Sequence, residues 1–349
     1  MNAKEQVILS SRVKNIFSIV LPCFCSLALL TWLFMTIDYK NIWQTVEGSD
    51  MRYLSLAGII FFLINFLIIW RWRILMKAVG LKAKRLSSMR WFFISLFFNL
   101  APISTVGSDV IRGLGLAKEV GHKPKIFASI VLDRLSGFSG IVILAVAAFF
   151  FGHGIIKHSM TEGKLGVVAL AIAALCTVSG ALVVVLFSHR IFSFACKAFT
   201  GWPRLKEGLM KLHYDIVLLK GKQQKGWEAV IISVFAQVIL AIEFYLTAKG
   251  MHQNIPLVYF IIFSPIVCVL TSLPSIGGLG YREMGWVSLF YLVYGVSSKT
   301  AEMAGSLSLI TSAFTIISGL LGGLFYVTTL SSGRVQHPQA EPRLQRSAP

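Results

Sequence analysis

Two short stretches combine groups that can bind an anion with residues that interrupt a helix. They are "LAPISTVGSDVIRG", residues 100–113, and "LPSIGGLGYREMG", residues 273–285. In each, a proline is followed by a serine, a glycine, and an arginine with a carboxylate neighbour: Asp109 and Arg112 in the first, Arg282 and Glu283 in the second. Guanidinium groups suit bidentate contact with phosphate or carboxylate. The two stretches therefore predict a site for an anionic group.

The same stretches contain the residues expected to break the backbone. Proline removes a helical hydrogen-bond donor, and glycine adopts conformations that other residues resist. A helix that starts after such a break has free N–H groups, which favour anions. The predicted break positions are Pro102, Gly107, Pro274, Gly277, Gly278 and Gly280.

Further charged residues lie inside apolar runs. Asp133 and Arg134, in "VLDRLSG", must face a partner or water, because a charge in hydrocarbon is costly. Asp109 and Arg112 are three residues apart and share a helical face, so they can pair with Arg134 or Asp133. Substrate binding and stabilisation of the fold both remain open for Asp133 and Arg134.

Glu243, in "AQVILAIEFYL", is an acidic residue deep in another apolar run. An intramembrane carboxylate is a candidate for proton coupling. The alternative is a structural ion pair with one of the arginines.

The composition identifies a membrane protein and excludes several other classes. The 349 residues are 56% hydrophobic and 14% charged, whereas soluble domains carry about 25% charged residues. The net charge of +18 is concentrated between apolar runs, which argues for membrane topology and against a nucleic-acid partner. The five cysteines have no CxxC spacing and the histidines no paired metal spacing, so we expect no disulfide, metal or cofactor.

Hydropathy and charge together predict the topology. The segment 71–90 contains seven basic residues and no acidic one, and 188–226 is also basic. By the positive-inside rule these segments, the start 1–15 and the tail 331–349 are cytoplasmic. The predicted full spans are 16–37, 54–70, 126–150, 164–187, 227–248 and 305–330, with broken stretches at 91–117 and 257–295.

This order predicts an inverted repeat. Residues 16–150 and 164–330 each read as span, span, broken stretch, span, but they begin on opposite sides of the membrane. The expected fold is therefore an all-α polytopic membrane protein with six full transmembrane helices and two re-entrant broken-helix hairpins. Ordinary helical hairpins joined by turns are the alternative, especially for the second stretch, where 257–273 can nearly cross.

The motifs "GSDVIRG", "VLDRLSG" and "LPSIGGLGYRE", in this order, resemble the family built on the transmembrane region of lysylphosphatidylglycerol synthase, also called the flippase-like domain family. The resemblance covers about residues 12–330 and implies a bacterial or archaeal inner-membrane protein. The family's domain is associated with moving an aminoacylated phospholipid between leaflets. When the motif residues of the family are carried over by position, the resemblance marks these residues of this sequence: Pro102, Gly107, Asp109, Arg112, Asp133, Arg134, Pro274, Gly278, Gly280, Arg282 and Glu283.

One departure separates this sequence from the synthase. Only the polar tail 331–349 follows the last predicted span, with no aminoacyl-transfer domain, so the resemblance favours a transporter over an enzyme. We expect a lipid translocator that acts on an anionic phospholipid or a lipid-linked headgroup. Phospholipid, polyprenyl-phosphate-linked sugar and hopanoid-type lipid all remain open as the substrate. The alternatives are an accessory subunit that binds lipid or envelope biosynthesis enzymes, and an integral membrane enzyme that uses Asp109, Asp133 or Glu283 on a lipid phosphate.

Overall fold

The computed structural model describes residues 47–100, 104–159, 162–187, 222–273 and 278–331. Within these ranges the regular structure is helical: α1 Met51–Ala78, α2 Arg85–Asn99, α3 Ser104–Val120, α4 Lys123–Ser159, α5 Glu162–Phe187, α6 Gln223–Gly250, α7 Leu257–Leu270, α8 Tyr281–Tyr294 and α9 Ser298–Ser331. The predicted span 16–37, the start 1–15, nearly all of the tail 331–349 and most of the basic segment 188–226 lie outside the described residues.

Five of these helices, α1, α4, α5, α6 and α9, are long and apolar enough to cross a membrane. They contain the five predicted spans that fall within the described ranges: 54–70, 126–150, 164–187, 227–248 and 305–330. Large apolar side chains on them are exposed, among them Phe151 on α4 at 90% and Leu170 on α5 at 71%. Such surfaces fit hydrocarbon rather than water, so the chain is an integral multi-pass membrane protein.

Helix α1 is longer than predicted. It continues through Arg71, Arg73 and Lys77 to Ala78, and the chain turns at Gly80, where φ is +79°. The first eight residues of the segment 71–90 are therefore helical and not part of a loop. The reason is that the sequence contains no proline or glycine between Gly58 and Gly80 to end the helix earlier.

The predicted broken stretches are two pairs of short helices. Helices α2 and α3 have 15 and 17 residues, and α7 and α8 have 14 each. At 1.5 Å per residue, each limb is about 21–26 Å long, which is less than the ~30 Å hydrocarbon core. In each pair the proline lies between the end of the first helix and the start of the second in the sequence.

The break residues have different positions. Gly278 and Gly280 have φ of +83° and +86°, a conformation that favours glycine, and they immediately precede α8. Gly107, in contrast, lies within the first turn of α3, because that helix already begins at Ser104. Pro102, Pro274 and Gly277 lie outside the described residues.

The outer ends of α2 and α3 meet. The guanidinium of Arg90, near the start of α2, binds the carboxylate of Glu119, near the end of α3, and the Trp91 indole N–H donates to the same carboxylate at 2.8 Å. Burial acts to raise the pKa of Glu119, but hydrogen bonds from Ser87 and Trp91 and the charge of Arg90 outweigh it and lower that pKa. This network fixes the two limbs as a hairpin.

The second pair, α7 and α8, opens towards the opposite end of the bundle. The Asp50 N–H donates to the Gly250 carbonyl at 2.8 Å, so α1 and α6 are antiparallel and the end of α6 lies beside the start of α1. Helix α7 starts there, only seven residues after Gly250, and its Tyr259 ring lies 6.3 Å from Tyr294 at the end of α8. Helices α2 and α3 instead meet beside the basic end of α1.

Each short pair has its own hydrophobic core. Buried residues of α1, α2, α3 and α4 surround Trp72, and residues of α6, α7, α8 and α9 surround Trp286; both indoles are fully buried. Helix α9 also packs closely against α2, with Gly322 against the Phe93 carbonyl. The two cores leave a polar space between them.

Candidate functional site

A cavity of about 340 Å³ lies between the two cores. Its wall is formed by α1, α4, α6, α7 and α9, with the end of α2 and the start of α8. The polar side chains on the wall are Asn65, Arg71, Asn99, Asp133, Arg134, Gln237, Glu243, Cys268, Thr271, Ser272, Arg282, Thr311 and Thr315. The cavity therefore brings together charged residues from both predicted repeats.

Arg71 holds three helices together at one wall of the cavity. Its Nε donates to Asp133 Oδ1 at 2.8 Å and its Nη1 donates to Ser233 Oγ at 2.9 Å. Arg71 and Asp133 are both buried. Removing either charge would leave the other in a low-dielectric environment, so this pair is needed for the local packing of α1, α4 and α6.

Asp109 and Asp133 link three arginines into one network. Arg112 Nη2 lies 3.1 Å from Asp109 Oδ1 and 3.5 Å from Asp133 Oδ2, while Arg134 Nε donates to Asp109 Oδ2 at 2.6 Å. The contacts of Asp109 with Arg134 and of Arg112 with Asp133 are the ones expected from the spacing of Asp109 and Arg112. With Arg71 included, three guanidinium groups face two carboxylates, so the network has an excess of positive charge.

Arg112 and Arg134 differ in their access to the cavity. Arg112 is 2% exposed, and its guanidinium carbon lies 4.4 Å from the centroid of the Trp72 ring. It is not among the described residues that line the cavity. The side chain of Arg134 is 47% exposed and forms part of the wall. The network thus presents Arg134 to the cavity and keeps Arg112 behind it.

Arg282 lies on the wall contributed by the second half of the chain. Its Nη1 donates to Ser312 Oγ at 3.0 Å and to Thr315 Oγ1 at 3.3 Å, both on α9. Among the described residues, no carboxylate oxygen lies within 4.0 Å of its guanidinium nitrogens. Neutral hydroxyls orient this cation without neutralising it, so it can attract an anion.

Glu283, the sequence neighbour of Arg282, stabilises the start of α8. It is fully buried, and its Oε2 accepts a hydrogen bond from the Gly280 N–H at 2.6 Å. Its Oε1 accepts from Ser308 at 3.0 Å and Ser312 at 3.2 Å. The sequence predicted that the free N–H groups at this helix start bind an anion of the substrate. In the structure the Gly280 N–H instead donates to the carboxylate of Glu283.

Glu243 extends the cavity wall on α6. It is fully buried, and Thr247 Oγ1 donates to its Oε1 at 3.3 Å. Its Oε2 has no hydrogen-bond partner among the described residues. A buried carboxylate with an unsatisfied oxygen beside a cavity can bind a proton or a cationic group.

Sequence reasoning assigned Arg71 to a cytoplasmic connection and so missed it as a site residue. A signal was present: Arg71 follows Asn65 by six residues with no helix-breaking residue between them, and Asp133 requires a cationic partner. Asn99, whose buried Oδ1 lacks a partner among the described residues, was also missed. The position of Asn99 depends on where α2 ends, and the spacing of residues in the sequence does not determine that end.

Comparison with known proteins places this arrangement in a family context. The family model described as the lysylphosphatidylglycerol synthase TM region matches residues 16–323. A UPF0104 membrane protein of Pyrococcus horikoshii is 23% identical over 319 residues, which cover 84% of this chain and 93% of the relative. No solved structure matches the chain.

Proposed function

The chain belongs to the lysylphosphatidylglycerol synthase transmembrane-region family, and from this membership and the cavity we propose that it is a lipid translocator. It moves an anionic phospholipid or a lipid-linked headgroup across the cytoplasmic membrane. The observation that carries this proposal is that Arg134 and Arg282, one from each half of the chain, line the same cavity. Two guanidinium groups suit bidentate contact with the phosphate of a lipid headgroup.

The proposed topology supplies access from both leaflets. In it, six full spans, including 16–37, surround two re-entrant hairpins, α2–α3 and α7–α8, in an inverted repeat with both termini cytoplasmic. The opposite directions in which these hairpins open support this arrangement, as does the length of their helices. In transporters of this type the substrate site lies between the repeats.

In the proposed mechanism only the headgroup enters the protein. Arg134 and Arg282 bind its phosphate, while Arg112, Asp109 and Asp133 hold Arg134 in position. The acyl chains stay in the bilayer, so the protein lowers the barrier only for the polar part. The two halves rock about the cavity and expose it to one leaflet and then the other.

The two buried glutamates have different roles in this proposal. Glu243 is the coupling residue: it exchanges a proton as the headgroup enters or leaves. Its Oε2 on the cavity wall, which has no hydrogen-bond partner in the described part of the chain, supports this role. Glu283 acts on the substrate through Arg282. Ser312 donates to Glu283 and accepts from Arg282, so the carboxylate fixes the guanidinium through a shared hydroxyl.

A vesicle assay tests the proposal. The purified chain is reconstituted into liposomes that contain a fluorescent phosphatidylglycerol, and a membrane-impermeant reductant reports the fraction in the outer leaflet. We expect the wild type to move the lipid, the double variant Arg134→Gln, Arg282→Gln to fail, and the exposed control Arg52→Gln to resemble the wild type. Failure of the wild type with every anionic phospholipid and polyprenyl phosphate offered, while a known flippase works in parallel, would refute translocation.

The same preparation separates the alternative functions. An enzyme that acts on a lipid phosphate would convert a radiolabelled lipid in detergent, and thin-layer chromatography would show a product. An accessory subunit would be inactive alone and would recover a lipid or envelope biosynthesis enzyme from membranes after cross-linking. Either result without movement of lipid would replace the proposed function.

A further inference from the structure

A second, separate groove lies on the outer face of α1, where α1 meets the start of α2. It has a volume of about 310 Å³ and is lined by Phe66, Ile69, Trp70, Arg73, Ile74, Lys77, Arg85 and Met89. None of these residues lines the central cavity. The groove is therefore a different site from the one proposed to move lipid.

The sequence "WRWR", residues 70–73, divides its side chains between these two sites. Trp72 is fully buried and Arg71 nearly so, and both face the interior of the bundle. Trp70 is 58% exposed, and with Arg73 it lines the outer groove. One helical turn thus contributes an internal ion pair on one side and an external tryptophan–arginine pair on the other.

Along α1, the groove changes from aromatic side chains to basic side chains. Phe66, Trp70, Arg73 and Lys77 are four, three and four residues apart, so they follow one face of the helix. The two aromatic residues lie towards the middle of the helix, and the two cations lie at its end. Aromatic rings and then basic groups in this order match the depth profile of acyl chain, interface and headgroup.

Within the described part of the chain, no acidic group neutralises the cations of the groove. Arg85 from the start of α2 adds a third positive charge to Arg73 and Lys77. Among the described residues, no carboxylate lies within ion-pair distance of these three side chains. Three clustered cations without counter-charge at a membrane interface attract an anionic headgroup.

We propose that this groove, formed by Phe66, Trp70, Arg73, Lys77, Arg85 and Met89, binds one anionic phospholipid. The phosphate lies between the three cations, and the first part of an acyl chain lies along Phe66 and Trp70. By the positive-inside rule, this lipid belongs to the cytoplasmic leaflet. It remains bound and stabilises the junction of α1 and α2, whereas the central cavity exchanges its lipid.

Native mass spectrometry of the full chain in a mild detergent tests this proposal. The protein is delipidated and titrated with phosphatidylglycerol or phosphatidylcholine, and the bound lipids are counted. We expect the triple variant Arg73→Gln, Lys77→Gln, Arg85→Gln to bind phosphatidylglycerol about a hundredfold more weakly at one site, at about fivefold for each cation removed. The matched control Lys118→Gln, Lys123→Gln, Lys125→Gln removes the same charge from the same end of the bundle and keeps the affinity.

A second pair of measurements identifies the occupant. The variant Phe66→Ala, Trp70→Ala is expected to weaken binding of phosphatidylglycerol, and glycerol phosphate without acyl chains is not expected to compete. Equal lipid retention by the triple variant and its control would overturn the proposal. Competition by glycerol phosphate would also overturn it, because the groove would then bind a soluble phosphate. The proposed translocation can fail independently, since it depends on Arg134 and Arg282.

Discussion

Arg71 Nε and Asp133 Oδ1 lie 2.8 Å apart in the interior of the bundle, although the residues are 62 positions apart in the sequence. The pair joins α1 to α4, and Ser233 attaches the same guanidinium to α6. Asp133 also faces Arg112, so the pair continues into the network that ends at Arg134. The cavity wall and the packing of the first half therefore depend on the same charges.

This relationship predicts a strong effect of Asp133→Asn on stability. The substitution keeps the shape of the side chain but leaves Arg71 buried without its anionic partner, which costs about 3–5 kcal/mol when one member of a buried pair is removed. We expect a clear decrease in the temperature of unfolding in detergent. The double variant Arg71→Gln, Asp133→Asn should recover part of the loss. The exposed control Arg52→Gln should not change stability. An unchanged temperature of unfolding in Asp133→Asn would show that the Arg71–Asp133 pair does not stabilise the fold.

We expect the substitution Arg282→Lys to reduce lipid movement and to leave the folding of the protein unchanged. Lysine keeps the charge but cannot donate in a planar fork to Ser312, Thr315 and a phosphate at once. We expect lipid movement in vesicles to fall about tenfold, because one charge-assisted hydrogen bond is lost. In size-exclusion chromatography the variant should elute as the wild type does, and the control Arg52→Lys should move lipid as the wild type does. Full activity of Arg282→Lys would indicate that no phosphate is bound there in a bidentate manner.

Much of this arrangement could be predicted from the sequence because it depends on local patterns. Apolar runs located five long helices, and the proline and glycine motifs located the two interruptions between short helices, although Gly107 itself lies within α3. The three-residue spacing of Asp109 and Arg112 predicted that they can pair with Arg134 or Asp133, and the cost of burying Asp133 predicted that it has a partner.

What the sequence could not provide depends on contacts between distant segments. Arg71 was assigned to a loop because the hydropathy of α1 falls at Trp70, yet α4 and α6 supply the partners that bury it. The hydrogen bonds of Glu283 were not predicted either, because the return of α9 brings two serine hydroxyls to its Oε1. Neither result follows from spacing within one helix.

Glu243→Gln tests the proposed proton coupling. Glutamine has nearly the same size and can still accept the hydrogen bond of Thr247, but it cannot exchange a proton. Among the described residues, the charged and titratable groups that interact with Glu243 from neighbouring helices are Arg282 on α8 and Cys268 on α7. We expect a pH difference across the vesicle membrane to change the rate of the wild type and not that of Glu243→Gln.

A matched control is available on the same helix. Glu228, near the start of α6, is exposed and bonded to Lys225, so Glu228→Gln removes the same charge outside the cavity. It should respond to the pH difference as the wild type does. If Glu243→Gln also responds, Glu243 is not the coupling residue, and its carboxylate then has a structural role beside Arg282.

The substitution Gly322→Ala tests how closely α9, in the second half of the chain, packs against α2, in the first half. A Cβ atom at residue 322 would lie 1.9 Å from the Phe93 carbonyl oxygen, so α9 would have to move away from α2. Overpacking of this kind costs about 3 kcal/mol or more when a backbone atom is the obstacle. At Gly319 the obstacle is the flexible Leu100 side chain at 2.4 Å, and at Gly180 no atom lies within 4 Å. We therefore expect the loss of thermal stability to decrease in the order Gly322→Ala, Gly319→Ala, Gly180→Ala. Equal stability of the three variants would show that α2 and α9 are not in close contact in the membrane.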